Sequence, residues 1–490
     1  METDGTLTIG LEIHAALKTE TKMFCGCLNN PNERKANKNI CPVCVGHPGT
    51  LPTINKKAVE FVLKLGMALK GTLFPKNRSK FDRKNYFYPD LPKGYQISQY
   101  DEPFVEGGIL HNIRIRRIHL EEDAGSLTHE GPSAGSEQSA SLVDFNRAST
   151  PLIELVTEPD IKSADQAVAF AQEFQRIVRY LHISDADMEK GLLRLEANIS
   201  INRGPVLNVP NGTKVEVKNI NSFKALHDAI EYEYKRQTKL FAEGKKIIQE
   251  TRGWNALKGE TVSQRIKEEA HDYRYFPEPD LPPMDATAFD LARMKQEIPE
   301  LPEAKRKRFM QEFNLGKTEA DILVQNRQAA EFFENAVSEI TTSIPQSSTP
   351  VNPLPLVYNY FTSDLWGLMK KADISFNDLR ITPGSFARLV TLIAHNIVSS
   401  RSAKDILALM VKTGADPETI MKERGLEQTA HAGNVEEIAE KIIEEHPRAV
   451  ADYKKGKIAS LQFLIGKAMG RLKGAANPKI LKEVFEKLLS

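Results

Sequence analysis

The period of the hydrophobic pattern changes near residue 290, and this change limits the folds that the chain can adopt. Before it, apolar and polar residues alternate in several segments, such as 7–14 and 194–201, which is typical of half-buried β-strands. Two segments of helical spacing lie among them, one beginning at Ser163 and one over 222–244. After residue 290 the alternation gives way to helical patterns. The sequence therefore predicts an α+β fold.

Chain length predicts more than one domain. The 490 residues exceed the roughly 250–300 residues at which one hydrophobic core stops growing. A stretch rich in Pro, Ser and Thr at 343–353 indicates a linker. We predict a large mixed α/β domain over residues 1–292, a helical domain over 293–408 and a small all-α tail over 409–490.

Composition excludes some classes of protein. The net charge is +1, and no run of about 18 apolar residues could span a bilayer, so we do not expect a membrane protein. The first residues show neither a signal peptide nor a transit peptide, so we expect a cytoplasmic location. Any contact with nucleic acid would use a local basic cluster. One such cluster is 452–490, with nine Lys or Arg against three acids; a solvated helical face is the alternative.

All four cysteines of the chain lie within twenty residues, as Cys25, Cys27, Cys41 and Cys44. Two short Cys pairs separated by a loop can supply four sulfur ligands to a structural Zn²⁺ ion. Four free thiols are the main alternative, and a redox role for Cys41 and Cys44 is a weaker one. The cysteines are too few and too local for a disulfide framework.

Four acidic residues lie at positions where a carboxylate needs a physical explanation. Glu121, Glu122 and Asp123 are consecutive before a glycine turn, and Glu154 lies inside an apolar run. Adjacent acids repel one another unless a cation neutralises them, and hard oxygen ligands suit Mg²⁺. A solvated turn is the alternative for the triple acid, but a buried Glu154 would need a partner. We predict that one acidic pocket collects Glu12, His14, Glu122, Glu154 and Glu196.

A segment at 81–95 interleaves cations with aromatic residues and ends in proline and glycine turns. It could hold phosphate and a nucleotide or an RNA end through charge and stacking, although aromatic residues near proline are also common loop anchors. The chain has neither a phosphate-binding P-loop nor a dinucleotide-binding glycine motif. The letters G-x-S-x-G at 131–135 lack the buried strand that a nucleophile elbow requires.

Several of these segments, taken in order, resemble the GatB family, the B subunit of the aspartyl/glutamyl-tRNA amidotransferase. The matching segments are 10–14, 81–90, 94–101, 119–125, 151–154 with 157–160, 196–200, 272–283, 452–457 and 473–478. The resemblance therefore covers nearly the whole chain and does not depend on one short motif.

The resemblance implies a cradle domain with a kinase site that depends on ATP and Mg²⁺, followed by a helical domain and a small tail that contacts tRNA. It implies that Lys84 and Glu122 are catalytic and that Lys84 and Glu196 bind the nucleotide. One departure is Ser126, where the family more often has lysine. The residues that would bind Mg²⁺ are Glu12, His14, Glu122 and Glu154.

The implied reaction is phosphorylation of the side-chain carboxylate of a mischarged glutamate or aspartate on its tRNA, followed by attack of ammonia. The implied partners are the A subunit, which is an amidase (glutaminase), and a small C subunit. A non-catalytic zinc and RNA-binding protein, and an amide synthetase that uses free amino acid, are the competing interpretations. The sequence leaves open whether glutamine, asparagine or both are formed on tRNA.

Overall fold

The structure is a computed structural model, and it describes residues 5–130, 140–202, 212–266, 273–343, 352–427, 432–472 and 478–489. The chain divides into two compact units, Met1–Ala304 and Lys305–Ser490. Most of the predicted linker at 343–353, and the segments 131–135 and 473–477, lie outside the described residues. The predicted three-part division, with its boundaries after 292 and 408, stays a prediction.

The first unit is built on a mixed β-sheet. Its strands run in the order β14-β13-β12-β11-β1-β10-β7-β5-β2, with β6 beside β7, and all described pairs are antiparallel except β12 with β13. A second sheet has the order β15-β3-β4, and β8 pairs with β9. The strands are β1 Thr6–Ala16, β2 Thr72–Leu73, β3 Asp82–Asn85, β4 Tyr95–Ser98, β5 Val105–Glu106, β6 Ile109–Leu110, β7 Ile113–Glu122, β8 Ser126–Glu130, β9 Ala140–Asp144, β10 Pro151–Thr157, β11 Leu193–Asn202, β12 Val215–Ile220, β13 Glu250–Asn255, β14 Glu260–Ile266 and β15 Phe276–Pro277.

The side chains of strand β1 alternate between an apolar face of the sheet and a polar one. Leu7, Ile9, Leu11 and Ile13 are buried in the core of the first unit, as their alternation predicts. The residues between them point to the other face. There β1 pairs with β10 and β11, so His14 lies opposite both Glu154 and Arg194.

Helices cover the apolar face. They are α1 Lys56–Ala68, α2 Ala164–Tyr180 and α3 Phe223–Ala242, and α4 Leu291–Gln296 packs against α1. The Ser163 hydroxyl accepts a hydrogen bond from Gln166 N at 3.2 Å, and Ser222 accepts one from Ala225 N at 3.0 Å, so both predicted helix starts are confirmed. Gly244, at φ +69°, follows the end of α3. With the long sheet beside helices, the predicted α+β class is confirmed.

The second unit is helical in its described residues and contains two hydrophobic clusters. One spans Phe309 to Met421 and the other spans Val435 to Leu489. The helices are α5 Pro302–Glu312, α6 Lys317–Val324, α7 Arg327–Ser343, α8 Pro353–Asn359, a π-helical turn Tyr360–Leu365, α9 Trp366–Ala372, α10 Pro383–Ala394, α11 Ser400–Thr413, α12 Pro417–Arg424, α13 Ala432–Glu445, α14 Pro447–Lys454, α15 Ile458–Arg471 and α16 Pro478–Leu489. No described helix is long and apolar enough to cross a membrane.

Candidate functional site

A cavity of about 760 Å³ opens on the polar face of the long sheet. Strands β1, β7, β11 and β12 line it together with the segment that follows β3. Its volume lies in the range of small-molecule sites. The lining residues are Glu12, His14, Lys84, Tyr86, Phe87, Tyr88, Gln96, Glu121, Asp123, Ala124, Leu152, Arg194, Glu196, Glu216, Lys218, Thr251, Gln264 and Tyr273.

The His14 imidazole lies at the centre of a cluster of carboxylates, of which Glu12 and Glu121 line the cavity and Glu154 is buried. Its Nε2 is 3.5 Å from Glu154 Oε2, 3.6 Å from Glu121 Oε1 and 3.7 Å from Glu12 Oε1. These side chains come from β1, β7 and β10, which are neighbours in the sheet but distant in sequence. Ligand atoms of His14, Glu121 and Glu154 lie within 4.8 Å of one another, as do those of Glu12, His14 and Glu196. Each trio is compact enough to hold a cation, and the two trios share His14.

Burial and mutual repulsion shape the protonation of this cluster. Burial raises the pKa of Glu12 to about 7, and the neighbouring Glu154 and Glu196 add to the effect. Burial opposes the charged form of His14, but its hydrogen bond to Glu154 and the nearby carboxylates outweigh this and raise its pKa to about 9. His14 is therefore a cation that balances part of the carboxylate charge, and it would have to lose its proton before its ring nitrogen could bind a metal ion.

Two residues without a predicted role contact the buried Glu154 and are not part of the cavity lining. His119 Nε2 is 3.3 Å from Glu154 Oε2, and an Arg117 guanidinium nitrogen is 3.5 Å from Glu154 Oε1. The charge and hydrogen bond of His119, with those of His14, outweigh burial and hold the pKa of Glu154 well below its ordinary value. Glu154 is thus a buried carboxylate with partners, as its position in an apolar run requires.

Lys84 brings a positive charge to the edge of the carboxylate cluster. It lies on β3, and its Nζ is 3.9 Å from Glu121 Oε2. The amine is also 5.8 Å from the ring centre of Tyr86 and 5.3 Å from that of Tyr273. Burial alone would lower the pKa of Lys84, but Glu121 and Glu154 raise it overall, so the side chain stays a cation.

Glu122 is the predicted site residue that the structure does not bring to this cluster. Its carboxylate accepts a hydrogen bond from Ile97 N at 2.9 Å and forms an ion pair with Lys93. Successive side chains of a strand point to opposite faces, so Glu121, not Glu122, lies beside His14. The geometry favours Glu121 in the metal site. The alternation of side chains along β7 could have distinguished the two acids in the sequence. Leu120 is buried in the core, and Glu122 is on the same side of the strand as Leu120.

Glu196 lines the opposite wall of the cavity. It pairs with Glu12 across β1 and β11, and its Oε2 is 2.9 Å from Lys218 Nζ. Burial would lower the pKa of Lys218, but the charge of Glu196 and of Glu216 raises it. Lys218 is a second cation at the site that was not predicted from the sequence.

Asp123 anchors the end of β7 between two arginines. Its carboxylate oxygens are 2.7 Å from Arg147 Nε and 2.6 Å from an Arg194 guanidinium nitrogen. Burial opposes ionisation, but Arg194 and Arg147 outweigh it and lower the pKa of Asp123. The third acid of the triple-acid segment is therefore ion-paired and not a solvated turn residue.

The four cysteines form a separate cluster. Their sulfur atoms lie within 4.8 Å of one another, a spacing compatible with tetrahedral ligation of one zinc ion. Cys44 Sγ receives the backbone N–H of Cys41 at 3.2 Å and lies 3.7 Å from Lys22 Nζ. A hydrogen bond from Cys25 first, and then those donors, outweigh burial and lower the pKa of Cys44 to about 5. A hydrogen bond to Cys44, together with burial, raises the pKa of Cys25, and burial raises the pKa of Cys27, so the fit to a metal rests on the spacing of the four sulfurs.

Comparison with known proteins defines the class. The GatB/GatE catalytic domain family matches residues 7–290, and the GatB domain family matches residues 332–489. Proteins named as the B subunit of aspartyl/glutamyl-tRNA(Asn/Gln) amidotransferase are similar over 98% of both chains. The identity is 43% for that of Caldanaerobacter subterraneus, 43% for that of Thermomicrobium roseum and 45% for that of Dehalococcoides mccartyi.

The chain belongs to the GatB family. This membership confirms the resemblance drawn from the sequence, the predicted function in tRNA-dependent amidation and the predicted ligase class. The roles of individual residues remain predictions.

Proposed function

We propose that this chain activates the side-chain carboxylate of glutamate or aspartate esterified to a noncognate tRNA, using ATP. The observation that carries the proposal is the position of Lys84 beside the His14, Glu121 and Glu154 cluster. A cavity with clustered carboxylates that could hold a cation, and with a neighbouring amine, suits a reaction that moves a phosphoryl group. The names of the relatives, which specify tRNA(Asn/Gln), support the choice of substrate.

Four side chains would hold Mg²⁺ in this site: Glu12, His14, Glu121 and Glu154. Ligand atoms of His14, Glu121 and Glu154 lie within 4.8 Å of one another, and Glu12 belongs to a second trio with His14 and Glu196. The carboxylates of both trios are the hard ligands that Mg²⁺ prefers. Glu121 replaces Glu122 in the set predicted from the sequence, because the Glu122 carboxylate is engaged by Ile97 N and Lys93. When bound, the ion neutralises charge on phosphate oxygens.

The remaining groups orient the reactants. The Lys84 amine would contact the oxygens of the transferred phosphoryl group, where negative charge develops. Attack of the substrate carboxylate on the γ-phosphorus of ATP forms an acyl phosphate and releases ADP. Ammonia then attacks the acyl carbon, phosphate departs and the amide remains after loss of a proton. Lys218 and Glu196, on the far wall, are placed to bind a polar part of the nucleotide or of the aminoacyl ester.

The ammonia would come from partner chains. The relatives are named as the B subunit of an amidotransferase, which supports assembly with an amidase (glutaminase) as the A subunit and with a small C subunit. The all-α tail would contact the tRNA, since residues 452–490 carry nine Lys or Arg against three acids and phosphate contacts dominate nucleic-acid affinity.

Cys25, Cys27, Cys41 and Cys44 would bind one structural Zn²⁺. The proximity of the four sulfurs supports this over four free thiols. Because all four ligands come from the protein, no open position would remain for catalysis.

The complex reconstituted with the amidase and the small C subunit provides the test. Phosphate release from ATP is measured with glutamyl-tRNA(Gln), aspartyl-tRNA(Asn) and the same tRNAs uncharged. We expect release only with a mischarged tRNA, and amide product when glutamine is supplied. Tight binding of mischarged tRNA with no release of phosphate would instead support the non-catalytic RNA-binding function. Equal turnover with free glutamate or aspartate would support the stand-alone synthetase.

A further inference from the structure

Two aromatic side chains of the cavity lining are left in solvent. Phe87 is 79% exposed and Tyr88 is 51% exposed, yet both line the cavity that contains His14 and Lys84. A large apolar ring that stays exposed beside a polar site is more informative than one that is buried. These rings lie at the rim, while the carboxylate cluster forms the floor.

The loop that carries the two rings does not need them as anchors. Tyr86 holds the loop through its hydroxyl, which donates to Gln96 Oε1 at 2.8 Å, and through its ring, whose centre is 5.7 Å from that of Tyr273. Leu91 is buried and donates its backbone N–H to the carbonyl oxygen of Tyr88 at 3.0 Å. Within the part of the chain that the structure describes, no aromatic ring packs against Phe87.

Tyr88 is held beside the loop while its ring remains accessible. Its ring centre is 6.2 Å from that of Tyr86 with an angle of 67° between the planes. This edge-to-face contact restrains the ring, since such geometry is favourable for aromatic pairs. Phe87 and Tyr88 thus present flat apolar surface from a loop that these contacts restrain, which reduces the entropy lost when a planar ligand binds.

We propose that Phe87 and Tyr88 form a stacking platform for an adenine base at the rim of the cavity. The proposal rests on the function proposed above, and it names the part of the ligand that the rim recognises. If a phosphate group of the ligand binds beside Lys84 and the carboxylate floor, the base of the same molecule can extend toward the rim. Both ATP and the 3′-terminal adenosine of tRNA carry adenine, and aromatic side chains bind either by stacking.

Phe87→Ala and Phe87→Trp test the platform in the complex with the amidase and the small C subunit. Removing an aromatic ring on which a base stacks weakens binding by roughly 5- to 150-fold. We expect Phe87→Ala to raise one KM by this factor with little change in kcat, and Phe87→Trp to restore it. A raised KM for ATP assigns the base to ATP, whereas a raised KM for mischarged tRNA assigns it to the tRNA terminus. Leu257→Ala, which removes a fully exposed apolar side chain outside the cavity lining, should change neither KM.

Fluorescence of the Phe87→Trp variant separates this proposal from the proposed function. Stacking should quench the new indole when ATP or a tRNA acceptor minihelix is added, and this readout needs no turnover. If the Phe87→Trp variant shows quenching but the wild type releases no phosphate, the proposed function is contradicted and the stacking platform is supported. Unchanged KM values for Phe87→Ala and no quenching by either ligand would overturn the platform while the function stands. Loss of the amidase on purification of Phe87→Ala would also overturn it, because the ring would then contact a protein partner.

Discussion

Glu121 and Glu122 are consecutive on β7, but their carboxylates point to opposite faces of the sheet. Glu121 Oε1 is 3.6 Å from His14 Nε2, whereas Glu122 Oε1 accepts the backbone N–H of Ile97 at 2.9 Å. The same amino acid thus has two environments one residue apart. One carboxylate opens into the cavity and the other fixes β4 to β7.

The same Glu→Gln substitution should have different effects at positions 121 and 122. We expect Glu121→Gln to lower phosphorylation of mischarged tRNA by roughly 100-fold or more, because it removes a charge from the floor of the site. We expect Glu122→Gln to cost about 1–3 kcal/mol of stability through its lost buried ion pair and weakened hydrogen bond. Single-turnover phosphorylation and thermal unfolding are the measurements. Near-normal stability with abolished phosphorylation in Glu122→Gln would instead restore the role predicted for it from the sequence.

Lys84 should act through its positive charge. Lys84→Met keeps much of the length of the side chain and removes the amine, so we expect kcat for phosphorylation to fall by roughly 10²–10³-fold. Lys84→Arg keeps the charge and should retain more activity. Glutamine hydrolysis by the partner amidase serves as the control, since its nucleophile is on another chain. Equal kcat values for the wild type and Lys84→Met would remove the amine from the mechanism.

The cysteine cluster should bind one equivalent of zinc. Elemental analysis of protein purified without added zinc should find about one ion per chain, and Cys41→Ser should contain far less. A chelator should lower the unfolding temperature of the wild type, because metal binding stabilises the folded loop. Thr50→Ala, in the same loop but without a sulfur ligand, should keep its zinc. Well under one equivalent in the wild type would favour free thiols.

Asp123 should contribute stability that depends on pH. Asp123→Asn leaves Arg147 and Arg194 without their shared anion, and we expect a loss of roughly 3 kcal/mol, the lower end for breaking a buried pair, because Arg194 is half-exposed. The pKa of Asp123 is lowered in the folded protein, so its contribution is complete above the unfolded value of about 3.9 and is lost as pH falls through the folded value. Denaturant unfolding should show wild type and variant converging in acid. A difference that is constant from pH 7 to pH 3 would contradict this.

The tail should bind tRNA through exposed lysines. Lys454 and Lys455 are exposed at the end of α14, and reversing both charges with Lys454→Glu and Lys455→Glu should raise KM for mischarged tRNA and reduce its salt dependence. The matched control is the exposed pair Lys370 and Lys371 at the end of α9. Equal effects of the two double variants would indicate a general charge effect and no tail contact.

Strand periodicity made part of the fold and of the site predictable. The alternation around Glu12 and His14 placed both on one face because the period of a strand is two residues. Pairing partners are a different matter, since they depend on contacts between distant segments. Nothing near Glu154 in sequence indicates that it lies opposite His119 and His14.

The choice between Glu121 and Glu122 shows the limit of a pattern argument. A run of acids before a turn hides the phase of the strand, because polar residues then occupy both faces. The buried Leu120 determines that phase, and the register with β10 completes it. Lys218 was missed for a similar reason, since its relation to Glu196 depends on the β11–β12 pairing.

The site also depends on strands that are far apart in the sequence. β1, β7 and β10 lie side by side in the sheet, yet β1 ends at Ala16 while β7 begins only at Ile113 and β10 at Pro151. Closing such long loops is slow during folding, so phosphorylation should recover after refolding only when these strands have paired. A gene split between β7 and β10 would yield fragments that each lack an essential wall. Glu121 and Glu154 would then lie on different fragments, so neither fragment would contain the whole carboxylate cluster.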